Sequence, residues 1–93
     1  MLTKLQANYL RGLISNCKQT KEIKEIQEKL NAFVNKNMCY FPDGAELEFF
    51  NSLILERMQY YSGKDEHWFS FCMELHEKIV NTLYRLNQCK SEL

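Results

Sequence analysis

Apolar positions recur at intervals of three and four along four stretches of the chain, and turn-forming residues separate the stretches. In the first, Leu2, Leu5, Tyr9, Leu13 and Cys17 follow one line, and Leu10 and Ile14 follow its neighbour. That spacing predicts a helix over about 3–17. Thr3, with Gln6 three residues later, has the form of a capping box. Gly12 weakens the middle of this helix by about 1 kcal/mol relative to Ala. Ile23, Ile26, Leu30, Phe33 and Val34 predict a second helix over about 20–35. Thr20 stands as its N-cap, and Glu22 lies in the first turn, where the helix dipole favours an acid. Lys21–Glu25, Lys24–Glu28 and Glu25–Lys29 are i,i+4 pairs, each worth only about a few tenths of a kcal/mol. The pattern leaves open whether residues 3–35 form two helices or one long helix kinked near Asn16–Thr20.

Asn35, Asn37, Pro42, Asp43 and Gly44 then punctuate the chain. Asp43 and Glu46 have the spacing of a second capping box, opening a third helix over about 44–61. Leu47, Phe50, Leu53, Ile54, Met58 and Tyr61 supply its inner face. Phe49, Leu55 and Tyr60 widen that face beyond one stripe. A helix apolar over so much of its circumference sits centrally or meets a partner. Ser62-Gly63 is a stop, with Gly63 suited to the left-handed position after a helix. Asp65 caps a fourth helix over about 65–89. Its apolar positions run from Trp68 and Phe69 through Ile79 and Val80 to Leu86. At about 36 Å it is long for a globule of this size. The predicted fold is all-α: a single domain over 1–93, built as a small bundle of three to four helices. The two long C-terminal helices form an antiparallel hairpin within it.

Length and composition narrow this further. Ninety-three residues, 45% hydrophobic and 26% charged, make one globular domain rather than a disordered chain. So short a chain buries roughly 60–65% of the surface it exposes when unfolded, which leaves no room for a deep pocket. The net charge is zero but uneven. Residues 1–30 carry six basic and three acidic side chains. Residues 42–77 carry eight acidic ones against Arg57 and Lys64. An overall basic footprint for nucleic acid is absent. The acidic middle reads as a docking face for a basic partner or for the basic N-terminal segment of a second copy. Ordinary variation on a solvated surface gives the same numbers.

Chemistry has little to stand on. The cysteines Cys17, Cys39, Cys72 and Cys89 are far apart and include no CxxC pair. Met1 leads into a polar stretch without an apolar leader segment. Thiols in a reducing, cytoplasmic compartment are the simplest account. No apolar run approaches bilayer length, so no membrane span is expected. Cys72 and His76 lie four apart on a helix and are able to face one metal. Zinc asks for four ligands in a tetrahedron, a set that Cys17, Cys39 or Cys89 would have to complete, and no ligand pair has finger or ribbon spacing. No Gly-rich phosphate loop, G-x-S-x-G or metalloprotease motif occurs. No enzyme, metal or cofactor is expected, and a metal-dependent or thiol enzyme stands as the alternative. Lys4, Arg11, Lys18, Lys21, Lys24 and Lys29 occupy the first two helices. The glutamates among them oppose phosphate contact, so direct nucleic-acid binding is not expected either.

The most pointed feature is the ring cluster Tyr60, Tyr61, Trp68, Phe69 and Phe71 around the Ser62-Gly63-Lys64-Asp65 turn. Half-exposed Tyr and Trp rings anchor protein interfaces. The same rings are equally suited to locking the hairpin. With Glu46, Glu48 and Glu56 as the acidic part of the surface, these residues are the candidates for protein interaction. The expected function is a non-catalytic protein-binding module: a small regulator, inhibitor or adaptor, with a homodimer or small homo-oligomer as a further expectation.

Some short stretches also match a family pattern. They begin with Leu2-Thr3-Lys4 and Tyr9-Leu10. Cys17-Lys18-Gln19-Thr20 matches a Cys-Gln-Thr with one residue inserted, and Glu28-Lys29 matches the end of a second helix. Glu46-Leu47-Glu48-Phe49-Phe50-Asn51-Ser52, followed by Arg57, matches a Glu-Leu…Phe-Tyr-Ser…Arg helix start. In these the N-terminal two thirds resembles, with gaps, the Hha/YmoA family of small bacterial nucleoid-associated regulators. The resemblance implies a four-helix domain that binds an H-NS-type nucleoid protein and modulates silencing without reading bases. It also implies acidic and basic side chains that grip the partner. The chain departs from the pattern at Leu55-Glu56-Arg57, where the family has Asp-His-Arg, so Leu55 replaces the key acid. Its C-terminal helix is also longer and more apolar.

Overall fold

The computed structural model of the protein describes residues 2–91, with side chains through Gln88. Every regular element among the described residues is an α-helix: α1 (Lys4–Ser15), α2 (Lys21–Lys36), α3 (Gly44–Tyr61) and α4 (Glu66–Ser91). The fold is all-α. The helices fall into two compact units, Met1–Phe41 with α1 and α2, and Pro42–Leu93 with α3 and α4.

In the first unit, the Thr3 hydroxyl accepts the Gln6 N–H at 3.0 Å, and Gln6 Oε1 accepts the Thr3 N–H at 3.1 Å. Two orphan donors of the helix start are thereby satisfied. α1 and α2 are separate helices. α1 stops at Ser15, where the Cys17 N–H tightens the last turn onto the Ile14 carbonyl at 2.9 Å. The Gln19 side-chain amide then donates to the Ile14 and Cys17 carbonyls, at 3.2 and 2.9 Å. Thr20 is extended, and its hydroxyl accepts the Ile23 N–H at 3.2 Å. A helix cannot run through a residue that is already capping the next one. α2 ends on Asn37, which adopts the left-handed conformation at φ 55°. The Met38 N–H reaches back to the Ala32 carbonyl at 3.2 Å, closing the helix over its left-handed residue. The pair is antiparallel: Lys4 donates to Asn37, and Arg11 to Asn31 at 3.0 Å. Ala7, Leu10, Ile14 and Leu30 are fully buried.

The second unit is the antiparallel hairpin. Asp43 and Glu46 form the capping box that starts α3: Asp43 Oδ1 accepts the Glu46 N–H at 2.8 Å, and Glu46 Oε1 accepts the Asp43 N–H at 3.1 Å. Gly63 takes φ 73° just past the helix, and the Lys64 and Asp65 N–H groups bond the Tyr61 carbonyl. Asp65 Oδ1 then accepts the Trp68 N–H at 3.2 Å and opens α4. Leu47, Phe50 and Ile54 on α3, and Cys72, Leu75 and Ile79 on α4, are buried to 1% exposure or less. Each such apolar side chain contributes about 1.5–3 kcal/mol relative to exposure. The Asn51 Oδ1 to His76 Nδ1 distance of 2.6 Å ties the middle of the hairpin. α4 has 26 residues and α3 has 18, about 39 Å against 27 Å. The C-terminal turns of α4 therefore extend beyond the start of α3. Leu86, on the same stripe as Leu75 and Ile79, is 37% exposed there.

Candidate functional site

The tight turn after α3 brings Tyr61 onto Trp68, seven residues on, and so joins the rings of the two helix ends. Tyr60 meets Tyr61 edge-on with centroids 5.3 Å apart. Tyr61 stacks on Trp68 at 6.3 Å and 25°. Trp68 meets Phe71 edge-on at 5.4 Å and the edge of His67 at 5.6 Å. Offset-stacked and edge-on pairs of this kind are each worth about 0.5–1.5 kcal/mol beyond the area they bury.

Two cations complete the arrangement. The Arg57 guanidinium lies 4.6 Å from the Tyr60 ring centre and 5.2 Å from that of Tyr61, and it donates to the Tyr61 hydroxyl at 3.4 Å. Lys64 Nζ lies 4.8 Å from the Tyr60 ring. Tyr60 is nonetheless 54% exposed, and Trp68 37%. Tyr61, Phe69 and Phe71 are half-buried. Arg57 and Lys64 do not appear among the sequence-predicted site residues. The signal for Arg57 was present in its position three and four residues before Tyr60 and Tyr61, the spacing of helical neighbours. Lys64 was not readable, because its place over Tyr60 depends on the turn.

An open cleft of about 510 Å³ lies beside the cluster, lined by Tyr61, Ser62, Gly63, Lys64, Glu66 and Phe69. In the first unit, a cleft of about 320 Å³ involves Lys29, Ala32, Met38, Cys39, Tyr40 and Phe41.

The three predicted acids take different places. Glu46 is 8% exposed and held by the cap of its own helix. Glu48 and Glu56 are exposed, about 12 Å apart along α3. They are available to a partner in a way that Glu46 is not.

Cys72 is fully buried, and the Nδ1 of His76 is engaged by Asn51. Cys17, Cys39 and Cys72 are thiols. The side chain of Cys89 lies outside the described residues. No group of three or more His, Cys, Asp or Glu is placed to hold a metal among the described residues. No described helix is long and apolar enough to cross a membrane. No family model, no curated protein and no solved structure matches the chain.

Proposed function

We propose that the chain is a non-catalytic protein-binding module, a small regulator, inhibitor or adaptor, anchored by the aromatic edge at the α3–α4 turn. The observation that carries this reading is Tyr60. More than half of its surface faces solvent while Arg57 and Lys64 hold its ring and the Tyr61–Trp68 stack backs it. A ring fixed before binding loses little conformational entropy on docking. Tyr, Trp and Arg are also the residue types that dominate interface energetics.

Affinity capture from the native host, with Tyr60→Ala and Trp68→Ala compared with the parent chain, tests this. Both variants should keep the parent circular dichroism and lose the captured protein. Unchanged capture by correctly folded variants counts against the anchor. Self-association through the same edge is the homo-oligomeric form of the proposal, and sedimentation at high concentration reads it.

A narrower version is an Hha/YmoA-like modulator that binds an H-NS-type nucleoid protein. It is supported by the four-helix order and by the capped helix start at Asp43–Phe50. Leu55, in place of the family's acid, speaks against it. Titration with a purified H-NS-type protein distinguishes the two, since the narrower version requires complex formation.

A further inference from the structure

Beside the buried Cys72–Leu75–Ile79 stripe, α4 carries a second line of side chains one step round the helix. Phe69, Met73, His76, Val80 and Tyr84 recur at intervals of three and four, the spacing of one helix face. Val80 is 41% exposed and Tyr84 62%. On α3, Glu48, Asn51, Leu55 and Met58 recur in the same way, and Leu55 is 41% exposed. The His76–Asn51 pairing puts the two lines on the same side of the hairpin. The groove that two packed helices leave on that side is a shallow trough, with apolar side chains on either side of the His76–Asn51 pair in its middle and Glu48 at one end.

The charge along its border is predominantly acidic. Glu48 at one end of the α3 line, and Glu66 and Glu77 along α4, are exposed. Of the described basic side chains of this unit, Lys64 stands at the turn end, in the cleft that Glu66 and Phe69 also line, and the others lie away from the two lines. Arg57 and Lys64 are drawn to the Tyr60 ring. Lys78, two residues before Val80, and Arg85, five after it, are turned away from Val80 by the helical repeat of 3.6 residues.

We propose that this trough binds the apolar face of a basic amphipathic helix from a partner protein. Such a helix offers apolar anchors at i, i+3, i+4 and i+7 to a floor of this length. Its flanking Lys and Arg side chains meet Glu48, Glu66 and Glu77, and the same acids reject an acidic helix. Two copies of this chain meeting through the trough about a two-fold axis would set their own acidic borders against each other, which disfavours self-docking here. The inference rests on the protein-binding reading; its surface adjoins the aromatic edge at Phe69 and Glu66 but does not include Tyr60.

The test uses a labelled model peptide with Leu at the anchor positions and Lys elsewhere, and its counterpart with Glu for Lys. Fluorescence anisotropy is read with the full-length chain at low and high salt. The Lys peptide binds and the Glu peptide does not. Val80→Glu and Leu55→Glu, at exposed positions and with parental circular dichroism, each weaken binding about tenfold or more. Glu77→Lys weakens it chiefly at low salt. Tyr60→Ala leaves it unchanged. Equal affinity for the two peptides, or binding indifferent to both Val80→Glu and Leu55→Glu, overturns the proposal. If Tyr60→Ala abolishes peptide binding while the Val80 and Leu55 variants do not, the peptide occupies the aromatic edge. That outcome overturns the trough and leaves the anchor standing. A dimer that Val80→Glu converts to monomer assigns the trough to a second copy, and likewise overturns it.

Discussion

At the scale of single residues, the helix ends carry most of the conformational instruction. Thr3 with Gln6 and Asp43 with Glu46 each satisfy two orphan groups with one pair of side chains. Asp43→Ala removes one such box, and thermal denaturation should show a loss of about 1 kcal/mol. Gly63 is needed for a different reason. Its φ of 73° lies where a Cβ is strained even though the space around it is open. Gly63→Ala should destabilise by about 1–2 kcal/mol. Gly12 is the opposite case. It sits inside α1, and a Cβ added there would meet nothing within 4 Å. Gly12→Ala should therefore raise stability by about 0.5–1 kcal/mol in the same measurement. These caps and glycines are legible in the sequence alone, because their chemistry is local. The place of Glu46 was only half legible. Its capping role could be read from its spacing to Asp43. Its burial could not, and burial is what separates it from Glu48 and Glu56.

At the scale of elements, the hairpin is held by two interlocking stripes. Phe50 is fully buried at its centre. Phe50→Ala should cost about 3–5 kcal/mol and lower the denaturation midpoint without changing the oligomeric state of the folded fraction. The periodicity of α3 and α4 announced this pairing, since Leu47, Phe50 and Ile54 repeat as Cys72, Leu75 and Ile79 do. The break between α1 and α2 was harder to read. The apolar spacing is silent between Cys17 and Ile23 and so does not say whether the chain stays helical there, and the Gln19 amide folds back onto the Ile14 and Cys17 carbonyls where α1 stops. That bond requires a conformation no periodicity encodes. The excess length of α4 over α3 was visible in the sequence as a long final stripe. Its result, an exposed Leu86 in line with buried neighbours, needed the pairing register.

At the scale of the molecule, residues 37–43 carry no helix and link the two units. Phe41 in this link is 76% exposed and Met38 56%. Exposed connecting segments are where proteases cut first. Pro42 blocks the bond after Phe41, so limited chymotrypsin treatment should cleave earliest after Met38 or Tyr40, and mass spectrometry should find a fragment that ends at residue 38 or 40 with its C-terminal complement. A first cut inside α3 or α4 would contradict this order of accessibility. The candidate site was legible in kind rather than in detail. Tyr60, Tyr61, Trp68, Phe69 and Phe71 stood out as a ring cluster about a turn; Tyr60, Tyr61, Trp68 and Phe71 meet ring to ring, and Phe69 lines the adjoining cleft. Which ring is offered outward and which is packed depends on Arg57 and Lys64 converging on Tyr60. That convergence follows from the turn geometry and not from spacing along the chain.

The brevity of the Ser62–Asp65 turn has a kinetic consequence. The chain between Tyr61 and Trp68 is so short that closing the loop demands little ordering of intervening residues. The aromatic stack can thus assemble as soon as two helical turns exist on either side. A hairpin built from near neighbours in sequence belongs with the rapid folders. In stopped-flow or temperature-jump refolding followed by Trp68 fluorescence, the quenching of that indole should be among the earliest events.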